Sequence, residues 1–115
     1  MNQHTRLKDI PTFGVDLHGA FMRRTSLRGA NLVRANFDGA DCRGADFSHA
    51  NLHGAILRRT DLSMALLVGA NLQDAILTEA DLRGADLTEA RNLTKKQLEG
   101  AIVDATTKLP DVLVA

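Results

Sequence analysis

Residues 44–55 read GADFSHANLHGA and residues 79–90 read EADLRGADLTEA. In both stretches a small residue, an Asp or Asn and a large apolar residue recur with a period of five. Extending that frame outward gives fifteen apolar centres, each five residues from the next: Leu17, Met22, Leu27, Leu32, Phe37, Cys42, Phe47, Leu52, Leu57, Leu62, Leu67, Leu72, Leu77, Leu82 and Leu87. Two residues before each centre stands Ala in twelve of the fifteen units, with Val15, Thr25 and Thr60 in the other three. Between the two, ten of fifteen positions are Asp or Asn.

A period of five decides the backbone. A helix advances about 100° per residue, so each unit would swing by roughly 140° and smear the apolar set around the axis. A flat strand alternates with period two and would send successive centres to opposite faces. Only a chain that turns a corner once per unit keeps every centre inward. Within a unit the small and large residues then share a face, the Asp or Asn between them points out, and the last two positions make the turn. The second turn position is Gly in seven units (Gly19, Gly29, Gly39, Gly44, Gly54, Gly69 and Gly84), as unusual backbone angles would favour.

The repeated unit resembles the A(D/N)LXX signature of the pentapeptide repeat family, and the resemblance covers Val15 to Glu89. It implies an all-β fold, a right-handed quadrilateral β-helix of about four coils with four pentapeptides to a coil. Residues twenty apart then stack, giving inward columns Leu17/Phe37/Leu57/Leu77, Met22/Cys42/Leu62/Leu82, Leu27/Phe47/Leu67/Leu87 and Leu32/Leu52/Leu72. Both ends of such a shaft need covering. The expected organisation is an N-terminal cap over residues 1–14, the β-helix over 15–92 and a C-terminal cap over 93–115. Ile10, Pro11 and Phe13 are the expected plug over Val15 and Leu17. At the other end Thr94 reads as the N-cap of a short α-helix ending at Gly100, a cap similar to that of many family members. One more pentapeptide-like unit (Ala101 to Ala105) and an apolar tail (Val112 to Val114) follow.

Composition narrows the function. The 115 residues are one small domain with 14 basic and 14 acidic side chains and no net charge. That balance argues against both a nucleic-acid footprint and an acidic mimic of DNA. One cysteine makes no internal disulfide, no Cys-based zinc site is implied, and no segment approaches the length of a spanning helix. A soluble cytoplasmic protein is expected, without a membrane partner or direct nucleic-acid binding.

Inward positions being structural, function is expected on the outward ones. The Asn31/Asn51/Asn71 and Asp41/Asp61/Asp81 columns read as turn-pinning acceptors for backbone amides, with Arg23, Arg43 and Arg83 partly neutralising the Asp column. His18, His49 and His53 fall at separate outward turn positions, Cys42 at an inward one, and no catalytic, cofactor or metal set emerges. Charge is unevenly spread, with nine basic and five acidic residues in 1–59 against five and nine in 60–115. Phe21, Ile56, Leu66 and Ile76 replace Asp or Asn in the outward slot, with Met64 and Val68 beside Leu66. Ile56, Met64, Leu66, Val68 and Ile76 are therefore the candidate partner-binding residues of a non-enzymatic scaffold for a protein partner, self-association included. The family offers a second reading, since some members resemble DNA, bind type II topoisomerases such as gyrase and protect them from quinolones.

Overall fold

The structure, a computed structural model, describes residues 13–113. Each pentapeptide contributes one parallel β-bridge, and the bridges link residues twenty apart without interruption from Asp16↔Asn36 through Asn71↔Arg91. The chain is a repeat β-solenoid. Its stability follows from where the five amides of each unit go, because a backbone N–H left without an acceptor inside a fold is costly.

Residues 40–44 illustrate the accounting. The amides of Asp41 and Cys42 donate to Ala20 O (2.8 Å) in the preceding coil and Asp61 O (2.9 Å) in the following one. Gly44 N donates to Ser63 O at 2.9 Å, and Ala40 N closes a turn on Phe37 O at 2.8 Å. The fifth amide, that of Arg43, has no backbone partner and donates instead to Asp41 Oδ1. All ten Asp and Asn residues of the outward slot accept the amide two residues on in this way. The polar middle position of the repeat is thus a backbone acceptor supplied by a side chain.

Every corner closes through the same turn bond, the amide of the next small residue on the carbonyl of the centre. The residue before that amide takes a positive φ in all fifteen units, as the third residue of a type II turn does. Glycine fills only seven of these positions. Arg24, Arg34, His49, Arg59, Met64, Asp74, Glu79 and Glu89 adopt the same left-handed conformation at φ 55–63°, at a cost of about 1–2 kcal/mol each.

Inside the coils the small and large residues form one apolar core, fully enclosed from Leu27 to Leu87. Phe37 and Phe47, half a coil apart, meet edge to face across the interior with centroids 5.5 Å apart. Thr60 occupies an alanine slot without leaving a buried hydroxyl unpaired, since Oγ1 donates to Phe37 O at 2.8 Å.

The register breaks after Arg91. Helix α1 (Lys95–Glu99) replaces a side of the coil, with Thr94 as N-cap in a capping box with Gln97. In place of a neighbouring strand's amide, Gln97 Nε2 donates to Leu72 O (2.8 Å) and Ala75 O (2.9 Å). The ladder then resumes out of step, Asp81 pairing with Ile102 and Asp86 with Lys108.

One expectation about the ends is corrected. Phe13 is no plug: it is 66% exposed, with the Arg34 guanidinium 5.5 Å from its ring centroid. Gly14 already donates to Val33 O and takes φ 70°, so Phe13 and Gly14 belong to a corner of the repeat and point outward with it. At the other end Val112 is 79% exposed, and Leu113 packs partly against the core instead. Ile10, Pro11 and Val114 lie outside the described residues.

Candidate functional site

The outward carboxylates are engaged by their own neighbours. Arg23 Nε donates to Asp41 at 2.7 Å and Arg83 to Asp81 at 2.7 Å, and each hydrogen bond holds its carboxyl below the usual carboxylate range. Arg59 grips Asp38 through Nε and Nη2 with the same effect. Asp61 takes the Ser63 hydroxyl at 2.6 Å. Arg43, expected to neutralise the Asp column with Arg23 and Arg83, enters no ion pair among the described residues, though its charge helps lower the Asp41 and Asp81 carboxyls.

The three histidines of the described residues do not converge. His18 Nδ1 lies 2.8 Å from Asp16, His53 Nε2 lies 3.6 Å from Asp74, and the His49 ring lies over Gly69 at another corner. Cys42 is fully enclosed, and burial pushes its thiol up to about 12. Among the described residues no three His, Cys, Asp or Glu side chains are placed to hold a metal ion. No helix of the described residues is long and apolar enough to cross a membrane.

The five apolar candidates divide into two groups that face away from one another. Ile56 and Ile76 bridge each other on one side. Leu66 lies half a coil away, between Asp46 and Asp86, with Met64 and Val68 in the same stretch of chain. They are therefore not one surface. Met64 (58% exposed), Leu66 (41%) and half-buried Val68 form the more exposed strip.

Leu66 also carries a backbone penalty that its neighbours do not. Asp46 and Asp86, above and below it, accept the amides of Ser48 and Thr88. A leucine has no acceptor to offer, so the Val68 amide forgoes a bond worth about 1 kcal/mol. An exposed apolar side chain has replaced a turn-pinning one on a regular surface.

A family model described as "Pentapeptide repeats (8 copies)" matches residues 13–41, 25–63 and 65–103. Among solved structures, the chain is similar to the pentapeptide repeat protein Rfr23 from the cyanobacterium Cyanothece 51142. The TM-score is 0.73 and the identity 32%, over 82% of this chain and 63% of that one. A second similar structure is the pentapeptide repeat protein alr5209 from Nostoc Pcc 7120, with TM-score 0.51 and 28% identity, over 86% of this chain and 77% of that one. This chain thus spans less than two thirds of the length of Rfr23. No curated protein matches it.

Proposed function

Because the chain belongs to the pentapeptide repeat family, we propose that it is a non-enzymatic scaffold that presents outward side chains to a protein partner. We read four pentapeptides to a coil and about four coils, a reading that the twenty-residue spacing of the bridges supports. We assign them a right-handed quadrilateral winding, the hand that parallel crossovers take, and α1 the role of covering the last coil. The strip Met64, Leu66 and Val68 is the contact surface. One observation carries this reading: at Leu66 the repeat gives up its turn-pinning acceptor and exposes a leucine instead. Zero net charge gives no support to mimicry of DNA, and a topoisomerase partner is not adopted.

The test is affinity capture from a lysate of the source organism, with the unmodified protein and a Leu66→Asp/Val68→Asp variant as baits. The variant is first checked by circular dichroism for an unchanged melting profile. A protein retained by the first bait and absent from the second supports the reading. Identical retention by two folded baits overturns it.

A further inference from the structure

The apolar strip does not stop at its corner. The Met64 side chain also lines a shallow depression of 750 Å³ on the adjoining side, together with Arg23, Arg24, Arg43 and Gly44. Phe21, at 91% the most exposed large apolar side chain among the described residues, stands in the outward slot of the pentapeptide that supplies Arg23 and Arg24. One continuous surface therefore runs from Val68 and Leu66 over Met64 into a basic hollow.

Of the three guanidiniums in that hollow, Arg24 and Arg43 are unpaired among the described residues, although Arg43 lies near enough to Asp41 and Asp81 to help lower both carboxyls. Asp41 is taken by Arg23, Asp81 by Arg83, and Asp61 accepts from Ser63. Arg24 is moreover held at φ 56°, where glycine would be free of strain, with its Cγ packed along Gly44. The same left-handed conformation recurs at the other non-glycine corners, so it orients Arg24 outward without singling it out.

We infer that the occupant of this surface is an acidic segment of a partner protein, its apolar residues on Met64, Leu66 and Val68 and its carboxylates on Arg24 and Arg43. This rests on the scaffold reading above and adds the partner's chemistry. A polyphosphate backbone fits less well, because it would leave the apolar strip of Met64, Leu66 and Val68 uncovered.

The probes are a fluorescein-labelled 15-residue peptide of alternating Glu and Leu, its Lys-for-Glu counterpart and a 15-base-pair DNA duplex, each followed by fluorescence anisotropy. The expected result is binding of the Glu peptide alone, weakened about tenfold both by 500 mM salt and by Arg24→Gly/Arg43→Gln. That variant removes two charges and should keep its fold, since glycine suits the Arg24 turn; its melting profile checks this. Leu66→Asp/Val68→Asp should also weaken the peptide. Equal binding of both peptides, sensitive only to Leu66→Asp/Val68→Asp, would overturn the acidic partner and leave the apolar contact surface standing. Glu-peptide binding indifferent to Leu66→Asp/Val68→Asp would overturn the apolar contact surface itself. Preference for the duplex, or no binding of the Glu peptide, would overturn the inference.

Discussion

The thioether of Met64 lies over Gly84, one coil further along the same corner, where a Cβ would collide with Met64 Sδ. The His49 ring covers Gly69 in the same manner, and Arg24 and Arg34 pack their Cγ atoms against the Cβ sites of Gly44 and Gly54. Three of the four corner columns alternate strictly: Arg24/Gly44/Met64/Gly84, Gly29/His49/Gly69/Glu89 and Gly14/Arg34/Gly54/Asp74. The fourth, Gly19/Gly39/Arg59/Glu79, places two side chains in succession, and there Arg59 turns aside onto Asp38. Glycine at a corner thus serves twice, by accepting a positive φ and by leaving room for the side chain one coil before it.

Gly39→Ala, with open space around the new Cβ, should cost only the left-handed penalty of about 1–2 kcal/mol. Gly84→Ala and Gly69→Ala should cost more, because Met64 and His49 must also move. Urea denaturation of the single variants and of the pairs Gly84→Ala/Met64→Ala and Gly69→Ala/His49→Ala checks this, the excess vanishing in each pair. Equal costs for all three single variants would show that the contacts are immaterial.

Glu89→Gly should stabilise the protein. Relief of a φ of 59° gains about 1–2 kcal/mol, offset by about 0.5–1 kcal/mol for the greater freedom of glycine in the unfolded chain. The net rise, centred on about 0.75 kcal/mol and at most about 1.5 kcal/mol, is read from the denaturation midpoint at unchanged slope.

Gln97→Ala should destabilise by about 1–3 kcal/mol, since the carbonyls of Leu72 and Ala75 both lose its amide. One half of the α1 capping box, the Thr94 amide on Gln97 Oε1, fails with it. Amide exchange should therefore accelerate in residues 93–101 before it does in the coils from Leu27 to Leu67. Uniform acceleration would mean that the helix and the coils unfold as one unit.

Cys42 should resist alkylation in the native protein and react on unfolding. Its thiol, held neutral by burial to about 12 against an ordinary 9.0, is also sterically enclosed. The sign of the linkage follows: above pH 9 the unfolded chain ionises while the folded one keeps its proton, so stability falls with rising pH between about 9 and 12. Cys42→Ala or Cys42→Val should remove that part of the alkaline loss, measured by urea titration at successive pH values.

The amino-acid sequence alone determined the solenoid, because a five-residue apolar period is compatible with neither a helix nor a flat strand and leaves one way to bury fifteen centres. It marked the inward centres, the turn-pinning Asp and Asn residues and the boundaries of α1, each of which depends on neighbours within five residues. Only the tertiary structure decided what depends on residues twenty or more apart. The left-handed backbone at Arg24 or Met64 is imposed by ladder bonds to adjacent coils, against local preference. The split of Ile56 and Ile76 from Leu66, the pairing of Arg23 rather than Arg43 with Asp41, and the reach of Gln97 to two carbonyls are likewise matters of stacking. Met64 joins the apolar strip to the arginines because a corner brings two sides of the coil together, and no local pattern records which side chains meet there.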